Sequence, residues 1–496
     1  MGFGRRYGFG AVFAVLGMLW SPTALSDAPL RAPIAPERPV LVEPVDPTNG
    51  IELRTLYPHT GRSGWQLVDL ATGEVLDAHE PDRSFAPASV AKLPTALFAL
   101  DTLGPEHRFV TRLSKTGRIA DGVLAGDLYL IGGGDPELDT DGLAELVADL
   151  AAFGIREVDG RFIVSESGAV RAEEIDPDQP GDMAFNPAVS GLNLNYNRVR
   201  LRWGRSAGSA GLTVSALAER LDPLVEQVEV RSAGGGAPLF AHAEIEGREV
   251  WTFNARALRG TGSRWLPVRG PELYAGDVFR QLATDQGVVL PPAIEGALDP
   301  SARVLAQRTS RPLSEILRDM LRFSTNLTAE VVGAASSREA SGASIGSLEQ
   351  SAALMNGWVA HSAGFSPGDP RIRFVNHSGL TDLSRVAPSR LVGLLAQRDP
   401  RIDAMRELLS AYAVANADDP LDALPEVFAK TGTMDRIRGL AGYITMPAGR
   451  QLAFAIFSND LAGRVATRRG ISSGWMGQAR AFERALIRQW VRRFDG

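Results

Sequence analysis

Only three of the chain's 52 basic residues are lysines, Lys92, Lys115 and Lys430; the rest are arginine. Arginine stays protonated in proteins, whereas a lysine that is desolvated or set beside another cation gives up its proton. A lysine kept against this bias is a candidate for chemistry, with chance retention as the bland alternative. Lys92 closes the string Ser89-Val90-Ala91-Lys92 at the head of an apolar run. On a helix the i, i+3 spacing puts hydroxyl and amine on one face. Serine is a weak nucleophile until a neighbouring base takes its proton, and a buried lysine with a lowered pKa is such a base. A helix N-terminus also presents backbone N–H groups to developing negative charge.

Lys430 opens Lys430-Thr431-Gly432-Thr433 in a run that reads as a strand. Alternation sets Thr431 and Thr433 on one face and Lys430 on the other. Gly432 leaves room for an extended peptide along the strand edge. A cation with two hydroxyls suits a carboxylate. Between the lysines lies Ser324-Thr325-Asn326, a hydroxyl that can relay a proton and an amide that can hold a carbonyl. Each string alone is weak, and each has a bland reading as an ordinary cap, turn or strand. The order Ser-x-x-Lys, Ser-x-Asn, Lys-Thr-Gly is the set found in penicillin-interacting serine enzymes.

The elements that must position these groups follow from periodicity. Residues 63–77 read as a hairpin around Ala71-Thr72-Gly73, and Val90 to Leu103 as a helix. Pro94 falls inside that helix and costs it a hydrogen bond if it begins at Val90. From about 105 to 300 the texture turns to strand-like runs separated by Gly- and Ser-rich turns. Pro312 to Phe323 carries Leu313, Ile316, Leu317, Met320 and Leu321 on one helical face. Val427–Met434, Gly439–Thr445 and Gln451–Phe457 read as strands, and a last helix aligns Phe482, Leu486, Trp490 and Phe494.

Composition excludes several classes. With 44% hydrophobic and 22% charged residues in 496, the chain is an ordinary multidomain globular protein. A net charge of −6 without a long basic run argues against nucleic-acid binding. The absence of cysteine removes disulfides, thiolate nucleophiles and Cys-based zinc sites. The six histidines show no metalloprotease spacing, which speaks against a zinc hydrolase, and the resemblance to penicillin-interacting serine enzymes implies that no metal or organic cofactor is needed. Lys115-Thr116-Gly117 precedes Ser-x-Asn and sits in a hairpin-like stretch, so it is set aside. Gly204 to Gly208 and Gly342 to Gly346 match a nucleophile elbow in pattern but lack the strand-then-helix context. Residues 1–26 read as a secretory signal, with Arg5 and Arg6 before a short apolar run and Ala24-Leu25-Ser26 as the cleavage region. Residues 27–50 are proline-rich and read as a linker. No later run is expected to span a membrane, and an exported, periplasmic location is expected.

The three motifs resemble those of penicillin-binding proteins and serine β-lactamases. With the long insertion between the first and second motifs, the chain is similar to the D-alanyl-D-alanine carboxypeptidase/endopeptidase family, the low-molecular-mass class C penicillin-binding proteins. Phe85 to Ser89, Gly132 to Pro136, Val189 to Asn195, His377 to Leu380 and Leu440 to Tyr443 carry the same resemblance. It implies an α+β multidomain protein. A serine β-lactamase/transpeptidase-like domain, an antiparallel sheet flanked by helices, would comprise 51–104 and 300–496. β-Rich accessory domains would be inserted at 105–299, with a nested unit at 200–265. It implies further that Ser89 attacks a D-alanyl carbonyl and Lys92 takes its proton. Ser324 and Lys430 would pass a proton to the leaving amine, and Asn326 would orient the substrate amide. Thr431 and Thr433 would bind the terminal carboxylate beside Gly432, with the N–H groups of Ser89 and Thr433 as oxyanion hole. Expected partners are peptidoglycan stem peptides and, as covalent inhibitors, β-lactams.

The chain departs from the family pattern in three places. Ser-Thr-Asn replaces Ser-Asp-Asn. Asp382 stands where the family commonly has arginine, with Arg385 kept. Asp182-Met183-Ala184-Phe185 replaces a tryptophan-rich approach. Asp382, with Asp435, is expected to make the diamino-acid subsite acidic, so that it favours an ammonium over a carboxylate. The competing readings are a β-lactamase or esterase on the same scaffold, and a catalytically silent cell-wall binding protein.

Overall fold

Strand β1 (Arg62–Asp69) is buried on both faces, with Trp65, Leu67 and Val68 as its apolar core residues. In the computed structural model, which describes residue 55 and residues 58–495 except 167–169, 207–208, 234–239, 255–259, 418–420 and 467–472, β1 lies inside a five-stranded sheet. The expected signal segment 1–26 and linker 27–50 lie outside the described residues. The other strands are β2 (Val75–His79), β3 (Glu426–Met434), β4 (Ile437–Thr445) and β5 (Gln451–Asn459). The order is β3-β4-β5-β1-β2, every pairing antiparallel. The β1–β5 pairing joins stretches of chain almost four hundred residues apart, Arg62 opposite Asn459. The end of the chain thus completes a sheet begun near residue 62.

The helices of this part include α1 (Lys92–Thr102), α2 (Leu313–Phe323), α3 (Asn326–Ser341), α4 (Leu348–Ser362), α5 (Pro388–Leu395) and α6 (Ser473–Phe494), with shorter ones at Pro400–Arg406 and Leu461–Ala466. On one face of the sheet, Trp65, Leu67, Leu440, Phe454 and Ile456 pack against Phe482, Leu486 and Trp490 of α6. On the other, Val68, Ala441, Ala453 and Phe457 meet Leu97 of α1, Leu317 and Met320 of α2 and Leu391 of α5. The apolar face read from 312–323 is the buried face of α2. A 3-10 turn, Ala88–Ala91, precedes α1, so the α-helix begins at Lys92. Pro94 therefore falls in the first α-helical turn, where an N–H has no intrahelical partner to lose.

The inserted region has its own five-stranded sheet, in the order Ala293–Glu295, Phe162–Glu166, Leu128–Gly132, Val110–Lys115, Arg303–Thr309. Helices Thr140–Ala152 and Pro271–Asp285 cover it. Two three-stranded sheets follow within 198–267. Their Leu201, Val228, Trp251 and Leu266 belong to the same buried cluster as Leu113, Leu130, Leu146 and Phe279. Just past the boundary expected at 299/300, the edge strand Arg303–Thr309 pairs with Val110–Lys115 of this sheet. Four of its seven residues are exposed, while Leu305 and Ala306 pack against the buried cluster of the insertion.

Trp490 is 1% exposed, and its indole Nε1 donates to Asp77 Oδ2 at 2.6 Å, tying α6 to the middle of β2. Trp490→Ala should cost about 3–5 kcal/mol. Chemical denaturation should register this as a lower midpoint with an unchanged slope.

Candidate active site

Ser89 lies in the 3-10 turn, and the residue before it, Ala88, has a left-handed backbone at φ 46°. For a residue with a Cβ this conformation costs about 1–3 kcal/mol, and neighbouring structure must impose it. The neighbours are close. A Cβ on Gly379 would lie 2.0 Å from the Ala88 carbonyl oxygen, and one on Gly432 would lie 2.3 Å from that of Pro87 and 3.1 Å from the Ser89 nitrogen. Two glycines thus let the 377–380 segment and strand β3 press against the turn that carries the nucleophile.

Lys92 is completely buried, and its Nζ has three partners: Ser89 Oγ at 3.0 Å, Asn326 Oδ1 at 2.8 Å and the Ser378 carbonyl oxygen at 2.8 Å. Burial holds its pKa well below the ordinary lysine value, the charge of Lys430 lowers it further, and Glu330 acts in the opposite direction. A neutral amine has two N–H bonds and one lone pair. Asn326 Oδ1 and the Ser378 carbonyl can only accept, so they take both N–H bonds. The lone pair is left facing Ser89, the one partner with a proton to give. The Asn326 amide is oriented in turn by its Nδ2, which donates to the Phe185 carbonyl oxygen at 3.0 Å.

Ser324 and Asn326 reach different lysines because a helix ends between them. Ser324 caps α2 in a left-handed conformation, φ 60°, and α3 starts at Asn326. Ser324 Oγ is 2.9 Å from Lys430 Nζ, which also donates to the Thr431 carbonyl oxygen at 3.0 Å. Lys430 is 2% exposed; burial, and then the nearby Arg438 charge, lowers its pKa to about 7.

Strand β3 lies at the sheet edge. The Val427 carbonyl accepts from Tyr412 N–H and Ala429 N–H donates to the Ser410 carbonyl, so the odd-numbered residues direct their backbone groups outward. The same alternation brings the Thr431 carbonyl and the Thr433 N–H to the edge beside Ser89. Thr433 Oγ1 accepts from Arg438 Nη1 at 2.7 Å, and Arg438 Nε is held by Glu483 of α6 at 2.9 and 3.0 Å. An acceptor bond from arginine leaves the Thr433 hydroxyl proton available to an incoming anion.

The structure therefore gathers Ser89, Lys92, Ser324, Asn326, Lys430 and the Thr431–Thr433 strand around one point. Asp382 and Asp435 lie on different elements. Asp382 sits in the turn whose carbonyls, its own and that of Ser384, accept from Arg385 Nη1. Asp435 is in the β3–β4 turn. Among the described interactions, the carboxyl that responds to Asp382 is Asp176 of the insertion, raised by burial first and by Asp178 and Asp382 after that. Lys115 ends an inserted strand and donates to the Gly117 carbonyl. Sequence reading missed the Ser378 and Phe185 carbonyls, Arg438 with Glu483, and Glu330. Only Glu330 left a legible signal, since it lies four residues after Asn326 on the same helix face.

The family model described as D-Ala-D-Ala carboxypeptidase 3 (S13) matches residues 52–475. The chain belongs to this family. It is accordingly a hydrolase of the serine DD-carboxypeptidase kind. A D-alanyl-D-alanine carboxypeptidase of Actinomadura sp. (strain R39) is 29% identical over 453 residues, covering 81% of this chain and 78% of that protein. The D-alanyl-D-alanine carboxypeptidase DacB of Haemophilus influenzae is 22% identical over 435 residues, covering 83% and 88%. The crystal structure of penicillin binding protein 4 from Haemophilus influenzae superposes with a TM-score of 0.71 at 21% identity, covering 89% of this chain and 99% of that one. This likeness establishes the transpeptidase-like fold with its insertion.

Gly432→Ala should force β3 away from the Pro87 carbonyl and Ser89. Acylation by a labelled penicillin should slow by on the order of 100-fold, while thermal stability changes little. Stopped-flow acylation and a melting curve on the same sample check both halves.

Proposed function

We propose that this family member is an exported, periplasmic serine DD-peptidase that works through a Ser89 acyl-enzyme on peptidoglycan stem peptides. It removes the terminal D-alanine, cuts D-alanyl cross-links, or does both. The observation that carries the reading is the set of hydrogen-bond partners of Lys92: once the amine is neutral, Ser89 is the one of the three that can give it a proton. Among the described residues no helix is long and apolar enough to cross a membrane.

Ser89 Oγ adds to the carbonyl carbon of the penultimate D-alanine as its proton moves to Lys92. The oxyanion forms between the N–H groups of Ser89 and Thr433, and the second N–H of the Asn326 amide holds the substrate carbonyl. The terminal carboxylate binds at Thr431 and Thr433, near the Lys430 and Arg438 cations. As the C–N bond breaks, the leaving amine takes a proton from Ser324, which recovers one from the Lys430 ammonium. Water then adds to the ester carbonyl and its proton returns to Lys430. Lys92 gives its proton back to Ser89 as the acid departs. β-Lactams, with a strained amide and a carboxylate in similar places, acylate the same serine. The cycle needs Lys92 neutral and Lys430 charged, the direction in which their surroundings separate them.

Asp382, with Asp435, makes the diamino-acid subsite acidic, and Asp176, whose carboxyl feels the Asp382 charge, adds to that character. Stem peptides with amidated diaminopimelate should turn over about as well as the free acid. A strong loss on amidation would overturn this assignment.

Intact mass after exposure to a labelled penicillin should show one adduct on the wild type and none on Ser89→Ala. Absence of an adduct together with absence of D-alanine release would favour a binding protein instead. In kcat/KM against pH, activity should rise as Lys92 loses its proton and fall again near pH 7 as Lys430 does. A plateau reaching pH 9 would remove Lys430 from proton transfer.

A further inference from the structure

Glu330 is completely buried in α3, and no step above uses it. Its two carboxylate oxygens accept from consecutive backbone N–H groups, His377 at 3.0 Å and Ser378 at 2.7 Å. The carbonyls of those two residues point the other way, onto α1. That of His377 accepts from Thr95 Oγ1 at 2.9 Å, and that of Ser378 accepts from Lys92 Nζ at 2.8 Å. The 377–378 turn is thus clamped between a carboxylate and the helix that carries the base. The two neighbours that permit this are glycines: a Cβ on Gly333 would lie 2.2 Å from the His377 ring, and one on Gly379 would strike the Ala88 carbonyl.

We propose that Glu330 is the positioning residue of the general base: its carboxylate fixes the Ser378 carbonyl that orients the Lys92 amine, and its negative charge keeps that amine basic. The inference rests on Lys92 being the base.

The charges around Lys92 make the second part necessary. Lys430 faces it from β3, with Arg438 of β4 behind, and both are cationic. His377 is buried and neutral, its pKa lowered to about 3. Glu330 is the neighbour that raises the proton affinity of Lys92. Burial raises the pKa of Glu330 itself, while its two backbone N–H bonds and Lys92 favour the anion. A base pushed down by desolvation and a second ammonium abstracts a proton poorly unless something restores its basicity.

The chain's three lysines make a direct test possible. Protein labelled with ¹³Cε-lysine gives three side-chain signals, assigned with Lys115→Arg and Lys430→Arg. In the wild type, the Lys92 titration midpoint should coincide with the acid limb of the pH profile for penicillin acylation. In Glu330→Gln, both should move to lower pH together, by about one unit for loss of a nearby opposite charge, and the plateau rate should fall. Glu330→Asp, which retains a charge but draws it back by one methylene, should move both by less, and it decides the matter if the glutamine variant does not fold. A midpoint and limb that disagree in the wild type would remove Lys92 as the base. A midpoint and limb that agree there but stay in place in the variants would overturn the role of Glu330, whatever the loss in rate.

Discussion

An amine taken completely out of water dictates the terms for everything around it. Lys92 can be buried only if each of its hydrogen-bonding directions has a partner, and it can act on Ser89 only if the lone pair is the direction left over. The Asn326 amide oxygen and the Ser378 carbonyl oxygen satisfy both conditions because neither can donate to it. Much of the surrounding architecture keeps those two acceptors in place. The Phe185 carbonyl from the insertion sets the Asn326 amide, Glu330 sets the 377–378 turn, and the ends of α2 and α3 separate Ser324 from Asn326.

The second lysine is handled differently. Lys430 lies on a strand rather than a helix, and its partners are a hydroxyl and a carbonyl, which are compatible with an ammonium. The Arg438–Glu483 pair beneath it is itself buried, and it ties the carboxylate-binding end of β3 to α6 on the opposite face of the sheet. Two amines in one cleft repel, so protonating one makes protonating the other harder. Burial lowers the pKa of both, and the charge of Lys430 lowers that of Lys92 further. The stability consequence has a definite sign. Both lysines have folded pKa values below the unfolded value, so the unfolded chain binds more protons between those values, and the fold gains stability as pH rises through that window.

Backbone strain follows the same logic. Ala88 and Ser324 hold left-handed conformations without being glycine, one beside Ser89 and the other bonded to Lys430. Gly379 and Gly432 supply the close approaches that keep Ala88 bent. These positions have poor local preference and good tertiary support, the pattern expected where chemistry takes precedence over stability.

The sequence by itself determined the chemistry's raw materials. Scarcity of lysine singled out Lys92 and Lys430, the three-motif order assigned their partners, and period 3.6 or alternation located the helix before Ser324 and the strand bearing Lys430. These signals are local, since a helix face or a pleat is set by residues a few positions apart. The tertiary structure alone decided which way each amine's bonds point, because Ser378, Phe185 and Glu330 act through backbone atoms or through a charge brought in from distant segments. It also decided that Arg303–Thr309 pairs with the sheet of the insertion and that the Asp382 charge acts on Asp176, since strand pairing and the approach of distant charges are properties of register and packing. Residue type at one position carries no record of either.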